Sequence, residues 1–177
     1  EPAALKAEIE SWSEREGVVA QADGGQLLLK LKSSDYLLRH RLRFALTAKS
    51  VRETCLQRGV ETIGDFEAYL TEQGGDWELA REARPLVEAY LAARERAGAR
   101  FEQLAIEVAA EHVKRPQRKA FAIHYAQQLP ASERSVAFLL IDGKDEQARE
   151  KLLRAELDRE FARFQRRDEL LLAEDDG

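Results

Sequence analysis

The sequence predicts a mainly α-helical protein that begins with one small β-hairpin. Period-2 alternation, which is typical of strands, occurs only within about the first 32 residues, and apolar residues recur every three or four positions through the remainder. A hydrophobic content of 44% supports a packed core, and a charged content of 34% suits exposed helix faces. A chain of 177 residues accommodates one good domain, or one domain and part of another.

The first elements are predicted as a helix and a hairpin. Apolar residues form one stripe of a helix over 3–15, and strands are predicted over 17–22 and 26–32. Asp23-Gly24-Gly25 separates the two strands. This is turn chemistry, because glycine accepts the positive φ that tight hairpin turns require.

The predicted hairpin brings a carboxylate near two lysines. Residues i and i+2 of a strand share a face, so Lys30 and Lys32 point to the same side. Two neighbouring ammonium groups repel each other unless an anion lies between them, and strand pairing brings Glu16 into their neighbourhood. A nucleotide phosphate and its metal ion need groups of this kind. The alternative is that these three residues form an ordinary charged face of a hairpin.

The remainder of the chain is predicted as one helix after another. A serine at 33 or 34 caps a helix that ends near Leu46, and Thr47 caps the next helix, which ends near Arg58. Pro85 either kinks a long helical tract or begins a new helix. The remaining predicted helices cover 65–73, 76 to about 113, 116–128, 132–141 and 145–172. The change of period predicts two domains, over 1–46 and 47–177.

Composition limits the classes of function. The net charge is −5 and the pI is about 5.4, so any RNA contact must come from local basic patches. Cys55 is the one cysteine and cannot form an internal disulfide, which favours a reducing compartment such as the cytoplasm. No apolar run approaches the roughly 20 residues that cross a bilayer, so no membrane partner is expected. His112 and His124 lack a second ligand at metal spacing, and a zinc site is rejected.

Two local basic clusters are candidate phosphate sites. Arg39 and Arg43 share a helix face at i, i+4, and adjacent arginines are good ligands for anions. The densest cluster lies at a predicted loop and helix start and consists of Lys114, Arg115, Arg118 and Lys119. A solvated surface explains either cluster about as well.

Trp77 is the aromatic residue best placed to stack on a base, although a core position is the favoured interpretation.

Several of these segments, taken in order, resemble phage-type ATP-dependent RNA ligases. The segments that carry the resemblance are Glu16-Gly17-Val18-Val19, Lys30-Leu31-Lys32-Ser33, Asp35-Tyr36, His40-Arg41-Leu42, Leu46-Thr47-Ala48-Lys49-Ser50-Val51, Arg118-Lys119-x-Phe121-Ala122 and Phe138-Leu139-Leu140-x-Asp142-Gly143-Lys144. The first three are similar to the last two nucleotidyltransferase motifs, the next two to the segment that follows, and the last two to the helical C-terminal domain. Each motif is short, so only the ordered combination is specific.

The resemblance implies a site and a reaction. In that family the glutamate helps to bind the divalent metal and the nucleotide, and the two lysines contact the adenylate phosphate, which implies these roles for Glu16, Lys30 and Lys32. The intact enzyme takes AMP from ATP in the presence of Mg²⁺ and passes it to an RNA 5′-phosphate. A 3′-hydroxyl then displaces AMP. The helical domain is expected to orient structured RNA, such as a broken tRNA loop, through the two basic clusters.

The nucleophile of that family is missing from the sequence. These ligases attack ATP with the lysine of a Lys-x-Asp-Gly motif, which does not occur here: Leu140-Ile141 precedes Asp142-Gly143. The chain also contains no methionine, and hence no initiator residue. We therefore expect it to be the C-terminal part of a ligase whose nucleotidyltransferase portion lies before Glu1. This part alone is expected to be inactive and to bind no cofactor tightly.

The alternative is a helical adaptor or protein-interaction module, which the acidic pI and long charged helices also fit.

Overall fold

The computed structural model describes residues 2–13, 15–21 and 28–175, and the side chains of 3–13, 15–21 and 29–164. Within these residues the chain is mainly α-helical, with one two-stranded antiparallel sheet, which confirms the predicted fold class. The elements are α1 (Pro2–Glu10), β1 (Gly17–Gln21), β2 (Leu28–Lys32), α2 (Ser34–Ala45), α3 (Ala48–Arg58), α4 (Ile63–Glu72), α5 (Trp77–Lys114), α6 (Arg118–His124), a 3₁₀ turn (Ala126–Gln128), α7 (Ala131–Ile141) and α8 (Asp145–Asp175).

Capping side chains set the starts of four consecutive helices, α2 to α5. The Ser33 hydroxyl accepts the backbone N–H of Tyr36 at the start of α2, and Thr47 forms a reciprocal capping box at the start of α3. The predicted start of α4 at residue 65 is too late. Thr62 and Asp65 form a second capping box there, so the helix begins at Ile63.

Helix α5 is one continuous helix that runs through Pro85. Its 38 residues make it about 57 Å long at 1.5 Å per residue. Pro85 itself is exposed, whereas Ala83, Val87 and Tyr90 on either side of it are buried. Packing of this apolar face offsets the hydrogen bond that proline cannot donate.

Three element lengths differ from the sequence-based prediction. Helix α1 ends at Glu10 instead of 15, where Ser11 donates its hydroxyl to the Glu8 carbonyl. The helix predicted over 116–128 is divided, because α6 ends at His124 and a 3₁₀ turn follows. Helix α8 continues three residues beyond the predicted end at 172.

Two hydrophobic clusters lie along α5 and α8. The first joins α3, α4, the first half of α5 and part of α8, around Phe66, Tyr90 and Phe161. The second joins the second half of α5 with α6, α7 and the start of α8, around Leu104 and Phe121. The two long helices therefore hold both halves of the helical region together. No helix within the described ranges combines the length and apolar character needed to span a bilayer.

The N-terminal elements attach to this helical region mainly through α2. Helix α1 packs on both strands of the hairpin and buries Ile9. Helix α2 contains no buried residue. It contacts the turn between α4 and α5 through Leu38, which lies against Gly74, and it contacts α5 itself through an ion pair from Arg43 to Glu82. The domain border predicted near 46 and 47 stays a prediction.

Candidate functional site

The hairpin places the two motif lysines on one face. Strands β1 and β2 pair antiparallel, with Gly17 opposite Lys32 and Val19 opposite Lys30. Leu31, which lies opposite Val18, separates Lys30 from Lys32 along the strand. Both lysines therefore share one face of the sheet. The predicted turn at residues 23–25 lies outside the part of the chain that the structure describes.

Gly17 makes the close approach of the strands possible. Its φ of 145° is rarely adopted by residues with a side chain. A Cβ atom at this position would lie 1.9 Å from the carbonyl oxygen of Leu31, which is less than any real contact. The glycine of the Glu-Gly pair is therefore required by the backbone, and it holds Glu16 at the end of the hairpin.

Ser33 fixes the other end of the Lys-x-Lys-Ser segment. Its side chain is fully buried, and the hydroxyl donates to the carbonyl of Arg15 and accepts the N–H of Tyr36. Its own N–H donates to the carbonyl of Glu16 at 2.9 Å. One serine thus ties both strands to α2. No separate signal in the sequence indicates this role, because a helix cap alone explains a serine at this position.

Glu16 and Lys32 form an ion pair across the end of the hairpin. The Lys32 ammonium also lies 4.4 Å from the centre of the Tyr36 ring, a cation–π distance. The hydrogen bond from Lys32 and its positive charge hold the pKa of Glu16 below its ordinary value, and the same bond raises the pKa of Lys32. Both side chains therefore stay charged at neutral pH and are held in one place.

Lys30 is the cation of this face without a described carboxylate partner. Its side chain is exposed, and it forms no ion pair within the part of the chain whose side chains are described. A hollow of about 170 Å³ lies between Glu16, Lys30 and Lys32. Ligand pockets usually measure about 300–1,000 Å³. The hollow has room for a phosphate group, and a whole nucleotide needs walls from elsewhere.

A second hollow, of about 310 Å³, joins the hairpin to the helical region. Arg39 and Arg43 line it, but both bind carboxylates of the chain. Arg39 lies 2.6 Å from Asp35 and 3.5 Å from Asp76, and Arg43 binds Glu82 at 2.7 Å. A phosphate at this point would have to replace these partners or share the arginines with them.

The cluster at residues 114–119 is also largely paired inside the chain. Lys114 and Arg115 both bind Glu111, and Arg118 binds Asp142. The bond from Arg118 holds the pKa of Asp142 below its ordinary value and links α6 to the end of α7. Lys119 is exposed and has no ion pair with the described side chains. Three of the four cations of this cluster are thus paired with carboxylates of the chain.

Trp77 is exposed, so its favoured assignment to the core is wrong. The residue is 67% exposed at the first position of α5. It lies two positions before the buried Leu79, which is about 200° around a helix of 3.6 residues per turn. The stripe from Leu79 through Ala83 to Val87 was the signal that could have placed Trp77 outside the core.

No metal site is formed by the described side chains alone, since they contain no cluster of three His, Cys, Asp or Glu residues. Glu16 offers one carboxylate, which Lys32 already occupies. The described side chains therefore do not complete a metal site by themselves. Cys55 is buried, and burial raises the pKa of its thiol to about 12, so the thiol is inert.

Comparisons with models of protein families, with curated proteins and with solved structures find no match. The roles of the hairpin and of the helical region are therefore argued from their own residues.

Proposed function

We propose that this chain is the C-terminal part of an ATP-dependent RNA ligase that joins RNA 3′-hydroxyl and 5′-phosphate ends. The hairpin contributes the last groups of the nucleotidyltransferase site, and the helical region orients RNA, such as a broken tRNA. The Lys-x-Asp-Gly nucleophile is absent from these residues, so the lysine that carries AMP belongs to polypeptide outside them. A cytoplasmic location belongs to the same proposal, and the unpaired Cys55 is compatible with it.

The arrangement of Glu16, Lys30 and Lys32 is the observation that carries the proposal. Two lysines share one strand face, one with no described carboxylate partner and one held by Glu16 and the Tyr36 ring. A preorganised pair of cations of this kind stabilises charge that develops on a transferring phosphate. The ordered resemblance to the ligase motifs falls on the same residues, including Tyr36.

Each of the two hairpin lysines then has a definite role. Lys30 binds a phosphate oxygen of the adenylate directly, because its exposed ammonium group forms no ion pair with a described carboxylate. Lys32 binds the same phosphate from the side opposite to Tyr36, and its exposed ion pair with Glu16 costs little to rearrange. When AMP leaves, the two ammonium groups neutralise the charge on its phosphate. No step is assigned to a metal ion held by this chain.

The alternative function is a helical adaptor or protein-interaction module, and one observation favours it. Helix α2 exposes large apolar side chains at Leu37, Leu38 and Phe44, the last of which is 72% exposed. Exposed apolar patches often mark protein contacts. A ligase fits this observation as well, because its nucleotidyltransferase portion would lie beside the hairpin and α2.

Adenylylation separates the two candidates. With labelled ATP and Mg²⁺, we expect the 177-residue chain to form no covalent lysyl-adenylate. A protein that joins it to a segment with a Lys-x-Asp-Gly motif should form one. The coding sequence that precedes Glu1 supplies that segment if the ligase proposal is right. A different domain there, without the motif, would favour the adaptor.

A further inference from the structure

A groove between α4 and α5 combines an exposed indole with two arginines. It measures about 700 Å³, and Glu67 and Thr71 of α4 form one wall. Trp77, Arg81 and Arg84 of α5 form the other wall, at positions i, i+4 and i+7 of one helix face. The groove shares no lining residue with the hollow on the hairpin face, and the ligase motifs include none of these residues.

The wall on α5 has the side chains that bind a flat, negatively charged ligand. The guanidinium of Arg81 lies 4.9 Å from the centre of the Trp77 ring, and most of the indole remains open to solvent. Arg81 has no ion pair with the side chains that the structure describes. Every nucleobase has a π-face that can stack on an aromatic ring, and its phosphates bind arginine. A helix rise of 1.5 Å per residue puts Arg81 about 6 Å and Arg84 about 10 Å along the axis from Trp77.

We propose that this groove binds single-stranded RNA, with one base stacked on Trp77 and the adjacent phosphates on Arg81 and Arg84. The choice of RNA rests on the proposed ligase function. The four arginines predicted to contact RNA, namely Arg39, Arg43, Arg115 and Arg118, bind carboxylates of the chain, whereas Arg81 forms no ion pair with the described side chains.

Two carboxylates line this groove and oppose RNA: Asp76, which caps α5 and pairs with Arg39, and Glu67. The Glu67 carboxylate lies 3.3 Å from Arg84, and both side chains are about half exposed. An exposed pair of this kind is weak and is screened by salt. A phosphate can therefore compete for Arg84, and removal of the Glu67 charge should favour the phosphate.

The test uses the whole 177-residue chain and a short, labelled, single-stranded oligo(A) RNA. Fluorescence anisotropy gives the affinity, and a Trp12→Phe background assigns intrinsic fluorescence to Trp77, since the chain contains two tryptophans. We expect Trp77→Ala to weaken binding by about 5- to 150-fold, as for one lost base stack. Trp77→Phe should retain most of the affinity. Phe44→Ala is the matched control, because it removes an equally exposed ring elsewhere.

Charge variants test the phosphate contacts separately. Arg81→Ala should make the slope of log affinity against log salt shallower by about 0.7. Glu67→Gln should raise the affinity. The proposal is overturned if Trp77→Ala and the parent chain bind oligo(A) RNA with equal affinity. It is also overturned if duplex RNA competes as well as single-stranded RNA, or if the fluorescence of Trp77 responds only to a proline-rich peptide. RNA joining by the longer protein that does not depend on Trp77 contradicts the groove alone. Trp77-dependent RNA binding, together with a preceding domain that lacks the Lys-x-Asp-Gly motif, supports the groove and contradicts the ligase.

Discussion

At the residue scale, Gly17 determines whether Glu16 and Lys32 can meet. We expect Gly17→Ala to open the hairpin, because the new Cβ would overlap the Leu31 carbonyl and the φ would cost about 1–3 kcal/mol. Cross-strand amide protection measured by hydrogen exchange should be lost. Gly98→Ala is the control: nothing lies within 4 Å of its Cβ position inside α5, so it should stabilise the chain by about 0.5–1 kcal/mol. A protected hairpin in the Gly17 variant would contradict this account.

Ser33 gives a second prediction at this scale. Ser33→Ala should destabilise the N-terminal elements by about 1–2 kcal/mol, because α2 loses its cap and the Arg15 carbonyl loses a donor. The adjacent Ser34 is exposed, so Ser34→Ala should change stability by less than about 0.5 kcal/mol. Urea unfolding followed by a probe on α2 measures both variants. Equal effects would show that Ser33 has no special role.

The sequence predicts the shared face of Lys30 and Lys32, because alternation along one strand is a local property. It does not predict that Lys32 is paired and Lys30 is not. That difference depends on the pairing register and on the position of Tyr36, which α2 supplies. The exposure of Trp77 was missed because residue type alone favoured the core, whereas the stripe through Leu79 contradicts that assignment.

At the scale of the element, Pro85 is a defect in an otherwise continuous helix. Proline cannot donate to the carbonyl of Arg81, and it costs about 3 kcal/mol in a helix interior. We expect Pro85→Ala to stabilise the chain by up to that amount, because the position is exposed and α5 is already helical there. Thermal unfolding monitored by circular dichroism measures the change. A lower melting temperature would mean that the packing of α5 needs the proline.

Element types were predictable from the sequence, and element ends were only partly so. Caps at Ser33, Thr47 and Asp76 gave correct starts, because a cap acts through its own side chain. The continuity of α5 through Pro85 could not be decided from the sequence. It depends on buried neighbours such as Val87 and Tyr90, which contact other elements of the fold.

At the scale of the whole molecule, carboxylates make stability depend on pH. Native hydrogen bonds and ion pairs lower the pKa of Glu16, Asp65, Asp76, Glu111 and Asp142 below ordinary values of 3.8 to 4.5. A lowered native pKa stabilises the fold above the ordinary value, and this stabilisation is lost as the pH falls through the native pKa. The urea concentration at the unfolding midpoint should thus stay constant from neutral pH down to about pH 5. It should decrease once the pH drops below about 4.5. A level midpoint down to pH 3 would show that these bonds do not stabilise the fold.

The ligase proposal is tested most directly by the rate of RNA joining. The measurement is a single turnover of 5′-adenylylated RNA with a 3′-hydroxyl acceptor, catalysed by a protein that combines this chain with its nucleotidyltransferase portion. Lys30→Ala and Lys32→Ala should each slow joining by about 10²- to 10³-fold, the usual effect of a lost charge-stabilising group. Lys151→Ala, which removes an exposed lysine on α8, should leave the rate unchanged. If Lys30→Ala joins RNA at the parental rate, the hairpin is an ordinary charged surface and the proposed ligase function is wrong.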